Sequence, residues 1–391
     1  MKNILLAITL IALFVLSSAC KKSNDGGQND LDQYSSQVVI DWNNAIFQVM
    51  SGPAGDHTLL VSRIGAMTQI AVHDALNAIA PRYETYAYDG RNKQADPVAA
   101  VATAAYEVLV ASQPNQKPLL DSLLAVSLAK VAEGQAKTEG IALGKKAAAA
   151  ILDLRKDDGA FQDPIGIVAP STEPGVYQAV PPFNFVFGPH WRTMQTFSLQ
   201  KFDQFRISPM PALNSPAYTA AFEEVKRLGR KDSEYRSEEQ SFIAKYWYEY
   251  SEIGWNRVAR IAATNQKLDI LATARLLALV NMALADAYTA GWDSKFHYNF
   301  WRPYTAIRNA ETDGNPDTGA EPQWEPAEPT PPVQDYPSTH SALGNAAATV
   351  LAGLLGDDVT FTMPSNTTVP AGGTRTFRSF SQAAAENAES R

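Results

Sequence analysis

Two cations and a proline stand at a spacing that can hold an anion. Lys295, Arg302 and Pro303 lie in the run Lys-Phe-His-Tyr-Asn-Phe-Trp-Arg-Pro. On a continuous helix, positions seven apart return to nearly the same face, about 10 Å apart along the axis. Two long side chains so placed can close on one tetrahedral anion, Lys as a point charge and Arg as a planar fork. Pro303 ends or kinks such a helix and pushes Arg302 toward an extended backbone. Taken alone, the pair reads more simply as two solvated surface cations.

A second stretch, Tyr336-Pro337-Ser338-Thr339-His340-Ser341, leads into the apolar run Ala342 to Leu355. Proline and serine ahead of such a run mark a helix start, and the N–H groups there favour an anion. Ser338 can donate a hydroxyl hydrogen bond to it, and His340 can move protons near neutral pH. By itself His340 reads more plainly as a satisfied structural histidine. In the third stretch, Ser379 and Gln382 have the spacing of a capping box. The helix they open runs to Ser390-Arg391 without a Gly, Asn or Pro stop, so the sequence is expected to break off in mid-helix.

Helices must position these groups. Ser62 to Ile79 places Ile64, Met67, Ala71, Ala75 and Ile79 on one apolar stripe. Asp96-Pro97 reads as N-cap and first helical position of a run to Ala111. Leu119 to Ala132 and Thr138 to Leu154 are rich in helix formers, and Ser233 to Tyr250, Ile253 to Asn265 and Asp269 to Ala290 continue the pattern. The Pro/Gly-rich interruptions Asp158 to Pro216 and Asn309 to Pro337 are long enough to be coverings over a site. No β-alternation or internal repeat stands out, and the fold class expected is an all-α helical bundle.

With 391 residues, 45% hydrophobic and 19% charged, the chain can bury a sizeable core. Its 33 Lys+Arg against 41 Asp+Glu, net charge -8, argue against a nucleic-acid partner. One cysteine excludes a disulfide framework, and five histidines limit a His-rich metal site. Residues 1–19 have the layout of a signal peptide: Lys2, an apolar run Ile4 to Leu16, then Ser17-Ser18-Ala19. The run is shorter than the about 20 residues of a membrane span, and no later window reads as a second one. Cys20 at the cleavage point resembles a bacterial lipobox, with Ser17 where Leu is usual. Residues 20–33 read as a flexible tether, 34–230 as an N-terminal helical region and 231–391 as the region that carries the three stretches, which their family resemblance implies is a catalytic domain. The chain is expected to be exported and lipid-anchored through Cys20, in the periplasm or at the outer membrane or cell surface.

Together the three stretches resemble the phosphatidic acid phosphatase type 2/haloperoxidase superfamily, most like its bacterial vanadium-dependent haloperoxidase-related lipoproteins. The family pattern is K-x6-R-P, then P-S-G-H, then S-R-x5-H-x3-D. Lys295, Arg302 and Pro303 match the first part; Pro337, Ser338 and His340 the second, with Thr339 for Gly; Ser390 and Arg391 open the third. The match covers about the last 100 residues, and its order and gaps make it far more specific than any one part.

The resemblance implies that Lys295, Arg302 and Arg391 clamp an oxyanion, that Ser338 and the Thr339 segment hydrogen-bond it, and that His340 shuttles protons. The third-motif histidine, the vanadium ligand of haloperoxidases and nucleophile of phosphatases, is expected about six residues past Arg391. The 391 residues alone are therefore expected to lack turnover. Trp292 resembles the pocket aromatic of fungal chloroperoxidases, with core packing as the alternative. The long helical stretch before Lys295, including Arg63 to Asn77, resembles the large haloperoxidases, which implies vanadate as cofactor and hydrogen peroxide and halide as substrates. The alternatives are a periplasmic acid phosphatase, acting on phosphate esters through a phosphohistidine without a cofactor, and an inactive surface binding lipoprotein; Thr339 feeds the latter. His73 reads as structural; His57, His190 and His297 lack metal-site spacing. Tyr246 to Tyr250 with Trp255 reads as core packing.

Overall fold

The computed structural model of the chain describes residues 31–50 and 58–391. Helices α1 (Gln37–Met50), α2 (Thr58–Ile79), α3 (Pro97–Ser112), α4 (Lys117–Leu128) and α5 (Gln135–Leu154) form the first half. Asp96 accepts from Ala99 N at 2.8 Å and Pro97 takes the first helical position of α3, as the sequence indicates. Helix α2 is buried almost throughout, polar residues included, because α3, α5 and α9 (Ile270–Tyr298) pack against it.

The second half adds α6 (Pro216–Leu228), α7 (Glu238–Tyr246), α8 (Ser251–Asn265), α10 (Pro303–Arg308), α11 (Thr339–Leu355) and α12 (Phe380–Glu389). Helix α9 is the post to which α2, α8 and α11 are applied. Its 29 residues, with a stretch of mean hydropathy 1.6, pass the length and composition test for a membrane span. Neighbouring helices bury 67% of that stretch, so its apolar character serves the core on all sides. The expectation of no second span passed over this window, which the fold buries as a core helix.

One continuous hydrophobic core runs from Leu31 to Ala384, across both halves. A smaller core of Tyr218, Phe222, Trp301, Ala306, Ile307 and Trp324 lies beneath α6 and α10. The tether expected to reach residue 33 is seated earlier: Leu31–Gln33 is a 3-10 turn with Leu31 buried in the main core. Strands also occur. β1 (Ile165–Ile167) pairs with β2 (Phe185–Phe187) and β3 (Phe361–Pro364) with β4 (Thr374–Phe377), both antiparallel. At three or four residues these ribbons are too short for an alternation signal.

The long covering segments are held by α9. Asp286 accepts from the backbone N–H of Phe197, Ser198 and Leu199 and from Ser198 Oγ, at 2.6–3.0 Å. One heptad on, Asp293 takes both arms of Arg206, at 2.7 and 2.8 Å. Buried carboxylates persist where such donors compensate their lost hydration.

Candidate oxyanion site

Lys295 and Arg302 are not on one continuous helix. Helix α9 stops at Tyr298, and Asn299 turns the chain in the left-handed region at φ 47°. Arg302 is extended (φ -83°, ψ 154°) and is the N-cap of α10, which Pro303 opens. Pro303 extends Arg302 as expected, but it starts a new helix while the old one ends earlier. The link between them is fixed by the first covering segment: Tyr177 N donates to Asn299 O at 2.8 Å and Trp301 N to Gly175 O at 2.9 Å.

Lys295 is buried, 3% exposed, and its Nζ donates to the carbonyls of Gln334 and Asp335, each at 2.6 Å. Arg302 Nη1 pairs with Asp335 Oδ1 at 3.0 Å, while its buried Nε has no protein partner. Sequence reasoning passed over Gln334 and Asp335, since nothing in a Pro-rich loop marks a carbonyl as a lysine acceptor.

Ser338 caps α11: its Oγ accepts from Ser341 N at 3.3 Å and from Ser341 Oγ at 3.0 Å. Thr339 and His340 therefore sit in the first turn, where N–H groups lack intrahelical acceptors. The γ-methyl of Thr339 is stowed against α9. A Cβ built on Gly291 would lie 2.7 Å from Thr339 Cγ2. Gly291→Ala is expected to destabilise the fold by about 1–3 kcal/mol through overpacking, and Gly291→Ala/Thr339→Gly to recover most of that. Denaturant titration of the two variants checks it; equal losses in both would refute the contact.

The aromatic run after α7 serves both core and site. Tyr246, Trp247 and Trp255 are buried, with the two indoles stacked at 5.8 Å, whereas Tyr248 and Tyr250 are exposed. Trp247 O accepts from Arg391 Nη2, and the Glu249 backbone favours the protonated form of the His340 ring. His340 Nε2 is buried and has no hydrogen-bond partner. Nothing in the sequence marks this main-chain support.

Several of these groups feel one another's charge. Burial, reinforced by the Arg302 charge and opposed by Asp335, lowers the Lys295 ammonium to about 7. Burial first, then Arg391 and Lys295, push His340 down to about 3. Desolvation brings Arg391 to about 10. Arg302 acts on Lys295, and Arg391 and Lys295 act on His340; with Arg302 Nε and His340 Nε2 sealed and partnerless, such a set fits a tetrahedral oxyanion. Among the described residues, no cluster of three or more His, Cys, Asp or Glu side chains is placed to hold a bare metal ion.

Tyr177, absent from the sequence-based candidates, is 2% exposed and its hydroxyl has no partner. Burial raises its phenol to about 12 while the Arg302 charge pulls the other way. Trp292 is buried, edge-on to Tyr288 at 5.7 Å, and its indole N–H donates to Phe187 O at 3.3 Å. His73 lies between Asp74 and Asn77, His190 packs on Trp191 and His297 on Tyr298. Cys20 and His57 lie outside the described residues. At the last helix, Ser379 Oγ accepts from Gln382 N, but Gln382 Oε1 takes Arg378 N, so the capping box is half formed.

Residues 275–391 match the model of the VCPO second helical-bundle domain. The vanadium chloroperoxidase of Curvularia inaequalis is 27% identical over 405 residues, spanning 81% of this chain. This chain spans 65% of that relative's length. A solved structure described as the first bacterial vanadium-dependent iodoperoxidase is similar at TM-score 0.77 and 26% identity, over 91% of this chain and 90% of its own. An apo-type bacterial vanadium-dependent chloroperoxidase is similar in fold at TM-score 0.68 and 16% identity, over 86% and 88%.

Proposed function

Because the chain belongs to the vanadium haloperoxidase family by sequence and fold, we propose that this site binds vanadate and serves halide oxidation by hydrogen peroxide. The observation that carries the reading is the pair of sealed, partner-free nitrogens, Arg302 Nε and His340 Nε2, within this set of cations. Lys295, Arg302 and Arg391 would neutralise the oxyanion, and Ser338 with the first-turn N–H groups of α11 would hydrogen-bond it. Bound vanadate would supply the activation of peroxide toward attack by halide. His340 would use its sealed, partner-free Nε2 to accept or return the substrate's proton. An exported lipoprotein carried on Cys20 is part of the proposal, supported by residues 1–20 of the sequence.

Binding tests the reading directly. Vanadate is titrated calorimetrically into the chain in two buffers of different ionisation enthalpy, with sulfate as a tetrahedral anion that does not titrate near neutrality. An anion at the clamp favours the charged forms of Lys295 and His340, so binding is expected to take up protons. Affinity should fall as pH rises through about 7, where Lys295 loses its charge. No competition between sulfate and vanadate, or proton release with sulfate, would sink the assignment.

A further inference from the structure

We propose that Asp335 is the positioning residue of the clamp, one side chain and its own backbone fixing both first-motif cations for the anion. The inference rests on the oxyanion reading above and deepens it.

Asp335 touches the Lys295–Arg302 path at three points. Its carbonyl accepts from Lys295 Nζ at 2.6 Å, its carboxylate takes Arg302 Nη1 at 3.0 Å, and its N–H donates to Phe300 O at 3.1 Å. Gln334 adds two more ties, its carbonyl to Lys295 Nζ at 2.6 Å and its amide to Asn299 Oδ1 at 3.2 Å. Two residues thus grip the cations, the left-handed turn and the extended link. The donor arithmetic fits a waiting ligand. An ammonium has three protons and two go to these carbonyls. The guanidinium is held by Nη1 while Nε stays sealed and free of protein partners.

The charge balance points to the same residue. Arg302 acts on Lys295 from the extended link, and His340 at the start of α11 also feels Lys295, with Arg391 bearing on His340. On α9 itself, Asp293 is engaged by Arg206 and His297 packs on Tyr298. From the covering segment, Tyr177 faces Arg302. Asp335 is the group that favours the charged ammonium, against burial and Arg302. Removing its charge while keeping its shape should let Lys295 discharge at lower pH.

Sulfate affinity of the whole chain is measured from about pH 5.5 to 8.5 for wild type, Asp335→Asn and Asp335→Glu, with thermal unfolding as the check on folding. Asp335→Asn is expected to bind within about threefold of wild type at the acid end and about tenfold or more weakly above neutrality, its falling limb moved to lower pH. Asp335→Glu should recover part of that shift. An Asp335→Asn profile parallel to wild type, or tighter binding throughout, would overturn the proposal and leave Asp335 a bystander or a competing counter-ion. If wild type binds neither sulfate nor vanadate at any pH, the oxyanion reading fails and this one with it. If wild type binds and only the shift is missing, the Asp335 proposal alone fails.

Discussion

Lys295→Met is expected to weaken oxyanion binding severely and, at pH 6, to make the folded chain more stable. Both effects come from one fact: a 3%-exposed ammonium beside a guanidinium, with its folded pKa brought from an ordinary 10.5 to about 7. Removing one partner of a desolvated charge pair costs about 2–5 kcal/mol, so vanadate or sulfate affinity should fall roughly 30-fold to several thousand-fold. Without the anion, the same charge is a burden. Below about pH 7 the ammonium is charged in both folded and unfolded chains, and the cost of burying it is present in full. Between about 7 and 10.5 the unfolded chain holds a proton that the native chain has shed, so wild-type stability rises with pH. Methionine has no such slope. The variant's advantage should therefore be greatest near pH 6 and shrink steadily toward pH 10. Orphaning the buried Gln334 carbonyl and the Asp335 carbonyl works against the gain. Denaturant titrations at three pH values, paired with calorimetry, decide it. A variant that is less stable at pH 6 than at pH 9, relative to wild type, would contradict the account.

The parts of this fold legible in the sequence are those whose signal is local. The Asp96-Pro97 start of α3, the stripe of α2 and the Ser338 cap of α11 each rest on neighbours within one or two turns. The K-x6-R-P spacing singled out Lys295 and Arg302 for an incomplete geometric reason. Seven residues suggested one helical face, whereas the chain leaves the helix at Asn299 and brings Arg302 back on an extended link. That path is dictated by contacts far away in sequence, to Gly175, Tyr177, Gln334 and Asp335. The same limit hid the role of the aromatic run. Its indoles pack as the composition suggested, yet the Trp247 carbonyl, which carries no sequence signal, holds Arg391. Thr339 shows the converse. Read as a departure from the motif's glycine, it raised doubt about the anion cradle; the structure places its γ-methyl against Gly291.

Asp158→Ala is expected to produce the largest loss of stability among single substitutions outside the site, about 3–5 kcal/mol. Asp158 Oδ2 accepts from Arg63 Nε at 2.7 Å and Arg155 Nε at 2.9 Å, and all three residues are buried. Two guanidiniums thus share one carboxylate. Further donors go to main chain: Arg63 Nη2 to Arg155 O, Arg155 Nη1 to Thr196 O and Arg155 Nη2 to Gln195 O. Arg155 also lies over the Phe197 ring at 3.9 Å. The network therefore ties α2 and the end of α5 to the covering segment, three residues before α9 takes Ser198 and Leu199 through Asp286. Deleting the carboxylate leaves two buried cations facing each other with no counter-charge, which costs far more than one lost hydrogen bond. A loss of that size is a large part of a typical domain's 5–15 kcal/mol, so the variant should unfold at markedly lower denaturant. Asp158→Asn keeps an acceptor but not the charge and should fall between. Arg63→Met in the Asp158→Ala background removes one stranded cation and should recover stability, which a simple cavity at residue 158 would not allow. If the double variant is no more stable than Asp158→Ala, the cost lies in packing, and charge balance is the wrong account of this network.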